Sequence, residues 1–145
     1  LTVTDNGHEV SSNATAADDG WTPIATLGSY CHGVVECIIQ IRASGGGLFL
    51  GVAKETCKKS MLAETNKKFL GWFSADINAD FCVGNNTKLG QPWKELDVIT
   101  LCLDSEKHTL TGIHKRSGQS QTIRVPIGKL CFAAEMHRSG IKFIR

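Results

Sequence analysis

A chain of 145 residues, 41% apolar and 21% charged, has the length of one domain and the composition of a globular protein. Its net charge of +2 is too near balance to draw in nucleic acid or an anionic membrane by bulk attraction. No apolar run approaches the roughly 20 residues that span a bilayer as a helix, and the polar stretch Leu1 to Gly20 carries no charged-then-apolar leader pattern.

Short apolar runs separated by turn residues, with 15 glycines and 3 prolines, predict strands rather than helices. Leu1-Thr4 and His8-Ser11 come first, then Pro23-Leu27. Val34-Ile41 and Leu48-Ala53 follow, then Phe69-Phe73 and Ala79-Val83. Val98-Asp104 and Thr109-His114 form a pair. Gln121-Val125 with Leu130-Glu135 and finally Ile141-Ile144 complete a set of about eleven, the rhythm of an all-β sandwich or barrel. The longest irregular stretch, Lys54-Lys68, has room for a single helical turn. Val34-Ile41 (VVECIIQI) and Val98-Leu103 (VITLCL) are apolar on both faces, so they are expected to be central, with the second face covered or offered to a partner.

Between Val98-Asp104 and Thr109-His114 the polar tip fits a hairpin built on a type I turn. Asp104 and Ser105 suit its start, where their side chains bond nearby amides. His108 falls where a left-handed residue is often required. Asp104, Glu106 and His108 resemble an acid–base or metal set on paper, but on a hairpin tip they splay into solvent. No catalytic residue is assigned here.

Of six cysteines, Cys37, Cys82, Cys102 and Cys131 lie within apolar runs, where a free thiol behaves as a small hydrophobe; Cys31 and Cys57 do not. Reduced cysteines and an intracellular location, cytoplasmic or nuclear, are therefore expected. Cys31-His32 with Cys37 lacks the paired spacing of a zinc site, and no metal or cofactor is expected. Ser44-Gly45-Gly46-Gly47 lacks the Lys-Ser/Thr and following helix of a phosphate loop. The sequons Asn13-Ala14-Thr15 and Asn85-Asn86-Thr87, with the even cysteine count, support an alternative: a secreted or surface lectin-like sandwich using Trp93 beside Asn78, Asn85 and Asn86.

The hairpin ELDVITLCLDSEKHTLTGIHK resembles the signature of the SPRY (B30.2-like) family through Asp97, Val98, Ile99, Leu103, Asp104, Thr109 and Leu110. Other stretches fall in the family's order: LGSYCHGVVECIIQI with Gly33 and Glu36, LFLGVAKE, FLGWFS, and LCFAAEMHRSGIKFI. The resemblance spans Pro23 to Ile144. Departures mark a divergent member: Val35 where an aromatic precedes Glu36, Leu96 where Gly precedes Asp97, Cys131-Phe132 for Tyr-Pro, and Gly112-Ile113-His114-Lys115-Arg116-Ser117-Gly118 for the usual outgoing turn. The resemblance implies a single domain, excised from a larger protein. Its fold would be a bent sandwich of two antiparallel sheets, a concanavalin-like jelly roll.

It also implies a non-enzymatic protein-recognition module whose end loops bind a short segment of another protein. Such a module serves as the substrate adaptor of a ubiquitin ligase or a scaffold in a signalling or RNA–protein complex. A monomeric domain with a protein or peptide ligand is expected. Loops on a rigid frame carry such contacts, and the candidates are Ala43-Gly47, Lys54-Lys68, Asn85-Trp93 and Met136-Gly140. Met136, His137, Arg138 and Ser139 are expected in the loop before the closing strand, where Met adapts to irregular surfaces and Arg is enriched at interface hot spots. Trp93 either anchors a partner or folds back on the core. Lys58 and Met61 belong to a basic, adaptable loop, and Ser44 to a flexible one. Trp72 is read as core, and Trp21 as cover for one end of the sandwich.

Overall fold

The computed structural model describes residues 2–4, 8–11, 22–25, 32–54, 69–74, 89 and 93–144. Every regular element among them is a strand: β1 (Thr2–Thr4), β2 (Glu9–Ser11), β3 (Thr22–Ala25), β4 (Val34–Lys54), β5 (Phe69–Ser74), β6 (Val98–Asp104), β7 (Thr109–His114), β8 (Gln119–Arg124) and β9 (Leu130–Phe143). The alternation in sequence becomes alternation in burial. Along β6, Ile99, Leu101 and Leu103 are buried, while Val98, Thr100, Cys102 and Asp104 between them are half-buried.

β4 and β9 are the long members, and they run antiparallel to each other from Ile39↔Phe143 to Lys54↔Leu130. The first half of β4 pairs with β6 and the second with β5. The last part of β9 pairs with β2 and its first part with β3. One sheet therefore has the order β1-β2-β9-β4-β6-β7-β8 and the other β5-β4-β9-β3, joined through the two shared strands. The bend falls where pairing register shifts, between Ile41 and Ala43 and again between Ser44 and Gly47 on β4. Extra residues on one strand bend it and raise its twist without ending it.

Among the described residues, some of the expected strands merge. Val34-Ile41 and Leu48-Ala53 are one strand, because Gly45-Gly46-Gly47 bulges rather than turns. Leu130-Glu135 and Ile141-Ile144 are likewise joined, and the expected loop Met136-Gly140 is the middle of β9. Ala79-Val83, Trp21 and the helical turn expected between Lys54 and Lys68 lie outside the described residues.

The sheets meet across Trp72. Its ring is fully buried and lies over Gly112 of β7, where an added Cβ would stand 2.7 Å from Trp72 Cζ3. Its indole N–H donates to Gln121 Oε1 of β8 at 2.9 Å, so the polar edge of the ring is satisfied within the sandwich. Ile39, Ile41, Leu48, Leu50, Ile99, Leu101, Leu103 and Leu110 fill the surrounding core. Gly51 and Gly71 face each other across β4 and β5, and a Cβ on either would run into the opposite backbone. That explains why both motif segments, LFLGVAKE and FLGWFS, carry Gly at these points.

Candidate functional site

At the bend, several residues expected in separate loops become neighbours. Ser44 is aligned with Ser139, Gly47 with His137 and Leu48 with Met136, while Thr22 of β3 flanks Met136 on the other side. They are not a loop surface. Met136 is fully buried, as expected for an unbranched side chain between two paired strands. Ser139 is also buried, and its hydroxyl donates to Gly47 O at 2.7 Å, which pins the bulge. His137 and Arg138 contribute backbone to the same strand.

Trp93 is buried and donates through Nε1 to Leu89 O at 2.9 Å. It caps the core, and its indole satisfies a carbonyl there instead of forming an open platform for a sugar or a peptide. Lys58, Met61, Asn78, Asn85 and Asn86 lie outside the described residues.

A surface does form at the end of the sandwich that carries the β6–β7 hairpin tip. Asp104 Oδ1 accepts from the amides of Glu106 at 3.1 Å and Lys107 at 2.9 Å, and His108 adopts a left-handed φ of 54°. The tip is the turn its sequence suggests. Ser105 then ties it to the start of β4: its amide and hydroxyl both donate to Gly33 O, at 3.0 and 2.7 Å. On the other side Val125 N donates to His108 O at 2.9 Å. The turn thus fixes residues 32–34 and the β8–β9 connection in place.

Between the hairpin tip and the β8–β9 connection lies a small pocket lined by Leu103, Ser105, His108, Val125, Pro126, Ile127, Gly128 and Leu130. Leu103, Val125 and Leu130 are buried and give it an apolar floor. Ile127 at its rim is 77% exposed, whereas the exposed Val34, aligned with Asp104, stands on the other face of the sheet from Leu103. With the Ser105 hydroxyl and the His108 imidazole beside this floor, the walls are of mixed apolar and polar character. Sequence reasoning passed over this end. The available signal was Pro126-Ile127-Gly128, an Ile on a turn tip where no strand partner is available to cover it.

The opposite end of β6 holds a buried polar cluster. Asp97 Oδ1 accepts from Arg116 Nε at 2.7 Å, and Oδ2 accepts from Arg116 Nη2 at 3.0 Å and Lys94 N at 2.9 Å. His114 Nε2 lies 2.8 Å from the same Oδ2, and Nδ1 lies 2.7 Å from Ser117 Oγ. Burial alone would raise the Asp97 pKa, but the bonds from Arg116, His114 and Lys94 outweigh it and hold the carboxyl down at about 2. The connectivity is that of an Asp-His-Ser relay. Its setting is different: the carboxylate is already matched by a guanidinium, and His114 has no exposed surface. The cluster clamps backbone, joining the entry of β6 to the exit of β7.

Cys37 and Cys102 are free thiols. Burial pushes the Cys37 thiol up to about 11. Burial, then the carboxylates of Glu36 and Asp104, push Cys102 up as well. A protonated thiol is a poor nucleophile and a poor metal ligand. Cys131 Sγ donates to Ala53 O at 3.5 Å. Among the described residues, no group of three or more His, Cys, Asp or Glu is placed to hold a metal ion.

An all-β chain whose two antiparallel sheets share two long bent strands defines a bent β-sandwich. No family model matches the sequence, and no curated protein matches it. Solved structures do. The chain is similar to the SPRY domain of human HERC1, with 15% identity over 84% of this chain and 77% of that one, at a TM-score of 0.56. It is similar to the TRIM65 PSpry domain, with 12% identity over 99% and 85% of the two chains, at a TM-score of 0.64. It also matches stonustoxin at 13% identity and a TM-score of 0.66, covering 99% of this chain and 25% of that one. The fold is that of a SPRY domain, in a divergent, SPRY-like form.

Proposed function

We propose that this chain is a non-catalytic protein-recognition module that binds a short segment of a partner through the end bearing the β6–β7 tip. The observation that carries this reading is the pocket there, with Ile127 at 77% exposure beside a buried Leu103-Val125-Leu130 floor. Exposed aliphatic side chains held by tethered turns are inexpensive anchors, since little ordering remains when a partner arrives. The SPRY fold, found in HERC1 and TRIM65, goes with this reading. Within it, the module acts as a monomeric adaptor, presenting a captured segment to activities elsewhere in a larger protein, as in substrate recognition for a ubiquitin ligase. The free thiols of Cys37 and Cys102 agree with a reducing, intracellular setting.

The test is affinity capture from native cell lysate with the wild type and a folded Ile127→Ser variant, compared by quantitative mass spectrometry. A protein enriched by the wild type and lost by the variant supports the reading. Equal enrichment by both moves the interface away from this end, and no specific enrichment argues against a recognition module.

A further inference from the structure

The β7–β8 turn is the exposed side of the Asp97 cluster. Lys115, Arg116, Ser117 and Gly118 are all exposed. Gly118, at a φ of 70°, closes the turn by donating its amide to His114 O at 2.9 Å. Ser117 is therefore at the surface, yet its hydroxyl is wired inward. It lies 2.7 Å from His114 Nδ1 and accepts from Gln119 N at 3.2 Å. One imidazole ring separates it from Asp97 Oδ2.

The sequence around this hydroxyl is basic. From Lys107 to Ala134 there is no Asp or Glu, while Lys107, Lys115, Arg116, Arg124 and Lys129 are cationic. Two of those cations directly precede Ser117. An enzyme with an acidic substrate groove is steered to such a segment, and one with a basic groove is turned away. Arg116 is also exposed to competition. Its Nε and Nη2 grip Asp97, but its side chain is 38% exposed and it is joined to Ser117 by one peptide bond. A phosphate on Ser117 would bring about two negative charges and three acceptor oxygens to that guanidinium. Arg pairs with phosphate through the same fork that it offers a carboxylate. Asp97, with 4% of its side chain exposed, would then be left to His114 and the Lys94 amide among the described residues. A buried carboxylate deprived of its cation is costly.

We propose that Ser117 is a phosphorylation site for a basic-directed protein kinase, and that its phosphate competes with Asp97 for Arg116 and so loosens the clamp between β6 and β7. Ser117 Oγ bonds to the γ-phosphorus of a nucleoside triphosphate, the bridging P–O bond breaks, and the nucleoside diphosphate leaves. The hydroxyl proton passes to a base of the kinase. The charge is added at the end of the hairpin opposite the pocket, and its target is the clamp itself. This inference stands apart from the recognition reading, because no residue of the pocket takes part.

The test has two arms. In the first, the folded chain is incubated with ATP and the catalytic domains of several basic-directed serine/threonine kinases, and the modified residue is located by peptide fragmentation. Phosphate at Ser117 is expected. Its absence, or phosphate confined to Ser120 or Thr122, overturns the site. In the second, a Ser117→phosphoserine chain made by genetic encoding is compared with the wild type, alone and in an Arg116→Gln background. The phosphate should lower the melting temperature by about 5 °C and by less than half as much with Arg116→Gln. In the otherwise wild-type chain it should also speed amide exchange at Lys94, which donates to Asp97, and at Lys115, which donates to Val98 O. Equal melting shifts in both backgrounds, or unchanged exchange at these two amides, overturn the competition for Arg116.

Discussion

Asp97 and His114, both buried, meet at 2.8 Å between Oδ2 and Nε2 and tie the start of β6 to the end of β7. Arg116 grips the same carboxylate from outside, and the β7–β8 turn closes over the pair through Ser117. The hairpin is thereby fixed at the end opposite its tip.

Acid should loosen this clamp in a defined window. The Asp97 pKa is lowered from 3.8 to about 2 on folding, so its contribution is fully present above the unfolded value. It is lost as pH falls through about 2. The shift corresponds to about 2 kcal/mol. Urea unfolding of the wild type and Asp97→Asn should differ most at pH 6, and the difference should shrink toward pH 2. A difference independent of pH contradicts the ionised clamp.

Gly112 leaves room for Trp72 and Leu89, whose atoms would stand 2.7 and 2.9 Å from an added Cβ. Gly112→Ala should destabilise the fold by about 1–3 kcal/mol through overpacking between the sheets. Thermal unfolding checks this, and the double change with Trp72→Leu should be clearly less than additive. Strict additivity would place Trp72 away from Gly112.

Ser139 was legible as a site residue only in the wrong sense. Its hydroxyl pins the bulge at Gly47, so Ser139→Ala should cost about 1 kcal/mol and speed hydrogen exchange along 41–47. Exchange unchanged in that segment contradicts the role.

Thiol labelling offers a further check. Cys37, buried with its pKa near 11, should resist a maleimide in the native protein and react only on unfolding. Cys102, half-buried beside Glu36 and Asp104, should react slowly. Fast native labelling of Cys37, read by peptide mass spectrometry, contradicts its burial.

The strand rhythm was readable because alternation and turn chemistry are local. Val98-Asp104, the Asp104-Ser105 turn and Thr109-His114 are found where the sequence puts them. What failed was non-local. Gly45-Gly46-Gly47 and Met136-Gly140 look like loops, yet both are strand, bulged on the β4 side, because the two segments pair. Trp93 showed both an anchor and a core reading, and only the Leu89 carbonyl decides between them. The pocket at Ile127 was not visible because its walls come from two separated segments, 103–108 and 125–130, joined by Val125 to His108. Leu96 was visible as a departure from Gly, but its positive φ makes the departure meaningful.

The most direct test of the recognition claim is hydrogen–deuterium exchange of the chain alone and in complex with its captured partner. Binding at the proposed end predicts protection concentrated in residues 105–108 and 125–129, with the Ile127→Ser variant losing it. Protection confined to other segments, with these two unchanged, would contradict a recognition surface built on the β6–β7 tip.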